Sequence, residues 1–313
     1  MVSVLQVSKV AGAASQMTGI TITGGSGFLA QSIYDHLIQL SLDPVCFKVR
    51  YPLSIDAAGP VGKVLIHCAG IAHSNHPDPE VVRNANHLLA FQTAIWARAN
   101  GYSCFILLSS VLVWDDSLEE VDSVADEPNP NTEYGIAKLS AERDIQKLRD
   151  TDFDIVIIRL PLMYGRGVKG NLARLIDAVA LWPICPLGTF SARRSITSVQ
   201  TLSRFVEYLI KKPVTGVFTL IDTPAISTME MIRMIAEYLP THGVVAPVPG
   251  FVSSLSCALL PSVSKRLFGS RIIRDGTVLG SGFDPVISDE ERAIQFRSMV
   301  RTRYKQITEK RAT

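Results

Sequence analysis

The 313-residue chain has no excess of charge of either sign. Its 31 Lys and Arg residues nearly balance its 29 Asp and Glu residues, the formal net charge is +2, and neither sign forms a long block. Proteins that bind nucleic acids usually carry a basic patch or stripe that attracts the phosphates. The composition therefore predicts no nucleic-acid partner, and an anionic ligand would have to be bound by a few local groups.

Long hydrophobic runs are also missing. The most apolar stretches, near residues 178–187 and 244–263, are interrupted by Pro, Gly or Ser, so neither offers the roughly 20 apolar residues in a row that span a bilayer. In residues 1–16 the one charged residue, Lys9, follows the first apolar residues, which is opposite to the order in a secretory signal. We expect a cytoplasmic protein without membrane insertion, in which residues 1–16 are a disordered extension.

Cysteine is scarce and unpatterned. The five cysteines are Cys46, Cys68, Cys104, Cys185 and Cys257. They are odd in number and widely spaced, with no Cys-x-x-Cys pair and no His/Cys cluster of the kind that binds a metal. Most of them lie within apolar runs, which is typical of buried free thiols in a reducing compartment. We expect no metal site.

Short apolar runs alternate with helical patterns along the chain. The predicted strands are residues 20–23, 45–49, 63–69, 104–109, 154–160 and 217–221, and the predicted helices are residues 28–40, 80–99, 134–147 and 229–238. The strand runs are continuously apolar, which is typical of strands covered on both faces by helices. The pattern predicts an α/β fold with a doubly wound (Rossmann) parallel sheet and a smaller C-terminal region.

A glycine-rich segment lies directly between the first predicted strand and the first predicted helix. Such glycines allow a tight turn and let backbone N–H groups approach a pyrophosphate at the positive end of the helix dipole. The residues expected to bind a dinucleotide here are Gly24, Gly25, Ser26, Gly27, Phe28 and Leu29. An ordinary glycine-rich turn is the alternative, but the strand–glycine–helix order favours the binding loop.

The end of the second predicted strand bears on the choice of cofactor. An acidic residue usually stands there to hold the ribose hydroxyls of NAD, whereas this chain has Lys48, Val49 and Arg50. A guanidinium suits the 2′-phosphate of NADP. Alternatively, Arg50 stacks on adenine or faces solvent. The cofactor is therefore NAD or NADP, with a slight preference for NADP.

A candidate catalytic group follows the fourth predicted strand. That strand ends near Ser109 and Ser110, and Tyr134 and Lys138 come later on one face of a predicted helix. A nearby ammonium lowers the pKa of a phenol from its ordinary value of about 10, which favours proton exchange with a substrate hydroxyl. Ser110 can hydrogen-bond to the same substrate oxygen. Tyr-x-x-x-Lys is common by chance, but its order after the glycine segment and the serines indicates a site.

These motifs resemble those of the extended short-chain dehydrogenases, in the NAD-dependent epimerase/dehydratase family that acts on nucleotide sugars. The resemblance covers residues 21–304 and includes Asn86, the Cys68–Gly70 segment and the segment around Pro161. Residues 167–172, 186–188 and 193–195 are similar to the subgroup of UDP-hexose 4-epimerases and UDP-4-keto-sugar reductases of surface-polysaccharide synthesis. Between Arg50 and Lys63 the chain is shorter than is usual in the family, which leaves Asp56 as the only acidic candidate near adenine.

The resemblance implies roles for individual residues. Tyr134 would act as acid and base at the C4 oxygen of the sugar, Ser110 would orient that oxygen, and Lys138 would hold the nicotinamide ribose. Further contacts with the cofactor would come from Cys68, Ala69, Gly70, Asn86, Ser109, Tyr134, Lys138 and Pro161. Contacts with a UDP-sugar would come from Ser110, Tyr134, Asn171, Leu172, Arg194 and Arg271.

The resemblance also implies an organisation and an activity. Residues 17–163 would form the NAD(P)-binding domain and residues 164–313 a substrate-binding region, with residues 199–221 returning to the first domain, in a homodimer. The leading interpretation is a UDP-glucose or UDP-N-acetylglucosamine 4-epimerase. The alternatives are a UDP-4-keto-6-deoxy-hexose 4-reductase that uses NADPH, and a non-catalytic NAD(P)-binding sensor or scaffold.

Overall fold

The computed structural model describes residues 19–56, 62–71, 78–181, 192–212, 214–222, 224–240, 270–274, 278 and 281–312. The predicted N-terminal extension and the motif at residues 186–188 lie outside these ranges, as do Cys185 and Cys257. No helix within the described ranges is both long enough and apolar enough to cross a membrane.

The strands that the structure describes number thirteen. They are β1 (Ile20–Thr23), β2 (Val45–Arg50), β3 (Ser54–Asp56), β4 (Val64–His67), β5 (Cys104–Ser110), β6 (Glu120–Asp122), β7 (Asp154–Leu160), β8 (Leu162–Tyr164), β9 (Arg193–Arg194), β10 (Ile196–Ser198), β11 (Gly216–Thr219), β12 (Ile226–Ser227) and β13 (Ile272–Arg274).

The helices lie between these strands and after them. They are α1 (Phe28–Gln39), α2 (Pro79–Arg83), α3 (Leu89–Ala99), α4 (Glu133–Gln146), α5 (Gly170–Leu181), α6 (Val199–Lys211), α7 (Thr228–Tyr238) and α8 (Asp289–Ala312). A π-helical turn, Asn84–Leu88, joins α2 to α3, and a 3-10 turn, Val111–Val113, follows β5.

Seven strands form one sheet in the order β11-β7-β5-β4-β1-β2-β3. The pairs β1–β2, β1–β4 and β4–β5 are parallel, whereas β2–β3 is antiparallel. The fold is α/β with a mostly parallel, Rossmann-like sheet, which confirms the predicted fold class. All six predicted strands belong to this sheet, with bounds that agree within two residues.

The apolar strand runs are buried because helices cover them. Leu65, Phe105, Leu107 and Ile157, from β4, β5 and β7, are each fully buried in one cluster with side chains of α3 and α4. Removal of such side chains from water is the main force that holds a sheet and its helices together. A strand buried on both faces carries few polar side chains, which explains why these strands could be recognised from the sequence.

The helix predicted over residues 80–99 is interrupted by the π-helical turn. Asp78 caps α2, because its side chain accepts a hydrogen bond of 2.8 Å from Glu80 N. An inserted π turn shifts the helical register by one residue and is common at functional sites. Helices α5, α6 and α8 were not predicted.

The chain divides into two compact units. The first comprises Met1–Val113, Pro130–Arg159 and Val206–Phe218, and the second comprises Trp114–Asn129, Leu160–Phe205 and Thr219–Thr313. The seven-stranded sheet belongs almost wholly to the first unit. In the second unit α8 contributes Phe296, which is fully buried with its ring centroid 4.7 Å from that of Tyr164. The predicted roles of two such parts in cofactor and substrate binding stay predictions.

Candidate active site

The carboxyl ends of the central strands share one edge of the sheet in the first unit. Thr23 at the end of β1 is in register with His67 of β4, and His67 is in register with Leu107 of β5. The glycine segment, residues 68–70 and the two serines at the end of β5 therefore follow one another along this edge. In open α/β sheets this is the edge where ligands bind.

Gly24 shapes the turn between β1 and α1. Its φ is +74°, and a Cβ built on it would lie 2.7 Å from the backbone nitrogen of Ala69. Gly27 N donates a hydrogen bond of 2.8 Å to Gly24 O. α1 begins at Phe28 without a side-chain cap and without an acidic residue in its first turn, so its first N–H groups are suited to an anion. The turn fits a dinucleotide pyrophosphate.

Asn86 lies in the π-helical turn and is 1% exposed. Its Oδ1 accepts a hydrogen bond of 3.1 Å from Ile71 N, and its Nδ2 donates one of 3.0 Å to Val82 O. In the same turn, His87 Nε2 lies 2.8 Å from Asp144 Oδ2 of α4. The turn thus connects the segment after β4 to the helix that carries Tyr134.

Helix α4 places Tyr134 and Lys138 in its first two turns. The Thr132 side chain caps the helix by accepting a hydrogen bond of 3.1 Å from Gly135 N. Lys138 Nζ lies 5.9 Å from the centroid of the Tyr134 ring and donates a hydrogen bond of 3.0 Å to Leu108 O of β5. The lysine is 5% exposed, so its ammonium is held between the phenol ring and the end of β5.

Burial dominates the proton affinities of this pair. It lowers the pKa of Lys138 to about 8, although Glu142 and Cys68 act to raise it. Burial raises the pKa of Tyr134 to about 12, although a hydrogen bond with Ser110 acts to lower it. The expectation of a phenol pKa below the ordinary 10 was therefore wrong for this arrangement, because loss of water around the phenol outweighs its favourable neighbours.

Gly135 has a role that was not predicted. A Cβ on this residue would lie 2.1 Å from the carbonyl oxygen of Leu112, in the 3-10 turn directly after Ser110. The glycine therefore allows α4 to lie against this turn, which keeps Tyr134 close to Ser110. A glycine inside a predicted helix is the signal that could have revealed it.

A buried acid was also missed. Glu142 of α4 is 1% exposed. It accepts hydrogen bonds of 2.5 Å from Ser109 Oγ and of 2.7 Å from Arg159 Nη2. Its place four residues after Lys138, on the same helix face, could have suggested this contact.

Two arginines lie together in the second unit. Arg194 of β9 forms a backbone bridge with Arg271, and Arg271 Nη2 donates a hydrogen bond of 3.0 Å to Asp116 Oδ1. Burial lowers the pKa of Arg194, Asp116 acts to raise it, and the charge of Arg271 acts to lower it. Arg194 Nε and Arg271 Nη1 are buried without a hydrogen-bond partner. Unsatisfied guanidinium donors of this kind suit a phosphate.

The other predicted site residues have varied surroundings. Arg50 is exposed at the end of β2, and Pro161 is buried after β7. Asn171 is half-buried at the start of α5, whereas Leu172 is 2% exposed in the interior of the second unit. Leu172 could therefore meet a ligand mainly through its backbone. Among the residues described, no group of three or more His, Cys, Asp and Glu side chains is placed to hold a metal ion.

The chain is similar to several known proteins. The family described as "NAD dependent epimerase/dehydratase family" matches residues 61–219. The chain is 28% identical over 257 residues to the UDP-glucose 4-epimerase of Vibrio cholerae, which covers 74% of this chain and 78% of that protein.

Two solved structures share the fold. One is the UDP-N-acetylglucosamine 4-epimerase from Methanobrevibacter ruminantium M1 in complex with UDP-N-acetylmuramic acid, with a TM-score of 0.72 at 16% identity, covering 92% of this chain and 98% of that one. The other is RMD from Pseudomonas aeruginosa complexed with NADPH, with a TM-score of 0.72 at 18% identity, covering 91% and 99%.

Proposed function

Because the chain belongs to the NAD dependent epimerase/dehydratase family, we propose that it is an NAD(P)-dependent enzyme acting at C4 of a UDP-hexose, as a UDP-glucose or UDP-N-acetylglucosamine 4-epimerase. The arrangement of Ser110, Tyr134 and Lys138 beside the glycine turn carries the proposal. Similarity to the Vibrio cholerae UDP-glucose 4-epimerase supports the class of sugar.

The first unit carries the groups that we expect to hold such a cofactor. The backbone of Gly24–Leu29, at the N-terminus of α1, would hold the pyrophosphate, and Lys138 would hold the nicotinamide ribose. The nicotinamide, when bound, exchanges a hydride with the sugar carbon. The protein supplies position and a charged environment for that exchange.

Proton transfer at the sugar would fall to Tyr134. Its phenol, with a pKa of about 12, is a proton donor near neutral pH. To accept a proton it must ionise, and the Lys138 ammonium at 5.9 Å from the ring favours the ionised form. Ser110, which hydrogen-bonds to the phenol, would orient the C4 oxygen that shares the proton.

A substrate diphosphate would be bound by the second unit. Arg194 and Arg271 keep buried N–H groups without partners while sharing the charge of Asp116. A diphosphate would satisfy these donors with charge-assisted hydrogen bonds. The pair supports a nucleotide sugar as the class of substrate.

A second candidate, a UDP-4-keto-6-deoxy-hexose 4-reductase using NADPH, is favoured by the end of β2. Lys48 and Arg50 are two residues apart in that strand, so their side chains lie on the same face, and both are exposed. β3 turns back antiparallel to β2 within a few residues. Two cations there suit a 2′-phosphate, and RMD from Pseudomonas aeruginosa was solved with NADPH.

One experiment separates these activities. The cofactor released from the purified protein is identified, and the protein is then incubated with UDP-galactose, with UDP-N-acetylglucosamine, and with a UDP-4-keto-6-deoxy-hexose plus NADPH. Bound NAD with interconversion of C4 epimers is the result expected of the epimerase. Oxidation of NADPH by the keto sugar instead identifies the reductase. Cofactor binding without conversion of any of these sugars contradicts both and identifies the sensor.

Substitution of Tyr134 by Phe tests the role of the phenol. Because only the hydroxyl is removed, Tyr134→Phe should keep the melting temperature and cofactor binding while lowering kcat by about 100-fold or more. Tyr102→Phe is the control, because this buried phenol contacts Thr21 and is not placed in the proposed site. Equal activity of Tyr134→Phe and the unchanged protein would contradict the assignment.

A further inference from the structure

Glu142 lies at the centre of a buried polar network in the first unit. Besides Ser109, it binds Arg159 of β7 through three hydrogen bonds, from Nη2 at 2.7 Å and from Nε at 3.1 and 3.2 Å. The side chains of Arg159 and Glu142 are 11% and 2% exposed. The network therefore joins α4, β5 and β7 inside the unit.

Stability alone does not account for such a pair. A buried ion pair loses much hydration on folding, and apolar residues of similar size often stabilise a protein as well or better. This pair also lies next to the proposed chemistry: Ser109 directly precedes Ser110, and Glu142 follows Lys138 by one helical turn. Its position suggests that its charges act on these neighbours.

The groups around Lys138 show which charge matters. Tyr134 and Glu142 lie near the lysine on α4. His67 of β4, Cys68 directly after that strand and the carbonyl of Leu108 in β5 also lie near it. Burial and the charge of Lys138 lower the pKa of His67 to about 3, so this ring is neutral near pH 7. Burial raises the pKa of Cys68, so its thiol is neutral as well. Among the neighbours of the ammonium that the structure describes, Glu142 is left as the anion.

We propose that Glu142 is a positioning residue, which holds Ser109 at the end of β5 and keeps Lys138 charged beside Tyr134. Arg159 balances this carboxylate and limits its effect on the lysine. The catalytic consequence rests on the proposed function, but the charge of Lys138 can be measured without any substrate.

Substitutions of Glu142 and of Arg159 should move the pH at which Lys138 loses its proton in opposite directions. Glu142→Gln removes the anion and leaves the Arg159 cation, so Lys138 should lose its proton at lower pH. Arg159→Gln leaves the carboxylate unbalanced, so Lys138 should keep its proton to higher pH. A merely structural role would loosen the same packing in both variants and would not give shifts of opposite sign.

The test is an NMR titration of the full chain carrying ¹³C at the lysine Cε positions. The Lys138 signal is identified by its loss in Lys138→Met, and its midpoint should lie near pH 8 in the unchanged protein. Glu142→Gln should lower the midpoint by about half a pH unit or more, because Lys138 loses the anion one helical turn away that favours its charged form. Arg159→Gln should raise the midpoint. Glu142→Asp keeps a carboxylate at this position, so its midpoint should lie close to that of the unchanged protein.

The control is Asp177→Asn, which breaks the Asp177–Arg303 pair of the second unit and should leave the midpoint unchanged. If Glu142→Gln does not fold, Arg159→Gln and the double variant Glu142→Leu/Arg159→Leu decide the matter. The double variant should have a midpoint below that of Arg159→Gln. Midpoints that stay fixed, or that move in the same direction in both single variants, overturn the proposal.

Kinetic measurements separate the proposed role of Glu142 from the proposed activity on UDP-sugars. If UDP-sugars are converted, the basic limb of kcat/KM should follow the NMR midpoint in each variant. Shifted midpoints in a protein that converts no UDP-sugar support the role of Glu142 and contradict the proposed function. Turnover with a fixed midpoint contradicts the role of Glu142 alone.

Discussion

At the scale of single residues, the surroundings of Lys138 and Tyr134 matter more than their spacing. Both groups are moved toward their neutral forms by loss of water, the lysine to a pKa of about 8 and the tyrosine to about 12. A helix with Tyr and Lys four residues apart predicts their contact but not their burial. The direction of these shifts could therefore be found only from the folded chain.

The lysine pKa predicts a pH dependence of turnover. Because burial lowers it, Lys138 is charged below about pH 8 and loses its charge as the pH rises through that value. If the charged form is the active one, kcat/KM should fall by about tenfold for each pH unit above this range. The measurement is a pH–rate profile, with Lys147→Met as a control, since Lys147 is exposed. A profile that stays flat to pH 10 would argue against a role for the charge.

Gly135 should not tolerate a side chain. With a Cβ only 2.1 Å from Leu112 O, Gly135→Ala must move α4 away from the turn after Ser110. We expect a loss of about 1–3 kcal/mol in the free energy of unfolding, as is usual for overpacking, and a fall in kcat of at least about tenfold. Urea unfolding and kinetics measure the two effects. Ile136→Ala, at a residue that is 45% exposed, should show neither effect.

At the scale of elements, burial decided which strands and helices could be predicted from the sequence. The sheet strands were predicted because they are continuously apolar. Helix α6 was missed, although Val199, Leu202, Phe205, Val206 and Leu209 are buried at helical spacing. Helix α8 was missed because most of its residues are polar. The antiparallel turn of β3 against β2 was also not foreseen, since strand direction depends on pairing between segments.

A buried carboxyl group, that of Asp222, lies against the start of α6. Asp222 Oδ2 accepts hydrogen bonds of 2.6 Å from Ser198 N and 2.7 Å from Thr201 Oγ1, while Oδ1 is buried without a partner. Burial raises the pKa of Asp222. The native state therefore keeps a proton that the unfolded state has released, and stability falls as the pH rises from the ordinary range of an Asp carboxyl toward the raised value.

Substitution of Asp222 by Asn should reduce this fall. An amide oxygen can still accept both hydrogen bonds, but it carries no charge that burial could penalise. As the pH rises above the ordinary range of an Asp carboxyl, the free energy of unfolding of Asp222→Asn should decline less than that of the unchanged protein. Urea unfolding at several pH values tests this, with the exposed Asp289→Asn as the control. Parallel stability curves for Asp222→Asn and the unchanged protein would contradict it.

At the scale of the whole molecule, two compact units carry different groups. The first holds the glycine turn and the Ser110, Tyr134 and Lys138 side chains, and the second holds Arg194 and Arg271. The family assignment is confirmed by the match over residues 61–219. The homodimer and the cytoplasmic location stay predictions.

UDP and the dinucleotide cofactor should each stabilise the protein, and each should do so through different residues. At about 100 times its dissociation constant, a ligand adds about 2.7 kcal/mol, which corresponds to an increase of roughly 4 °C in melting temperature for a chain of this length. UDP and the cofactor that the protein binds, NAD or NADPH, should each have this effect in the unchanged protein. Arg194→Gln combined with Arg271→Gln should abolish the shift with UDP and keep the shift with that cofactor. Arg274→Gln, which breaks an exposed pair with Glu120, should keep both, and a retained UDP shift in the double variant would refute the diphosphate site.

Local patterns along the chain were enough to predict the α/β class, the strands of the central sheet, the glycine turn and the Tyr134–Lys138 pair. Each of these depends on neighbours within a few residues. The tertiary structure alone revealed the Glu142 network, the close approach at Gly135, the bridge between Arg194 and Arg271, and the direction of the pKa shifts. These depend on which distant segments meet and exclude water, because a charge or a donor changes its behaviour only when the fold decides what surrounds it.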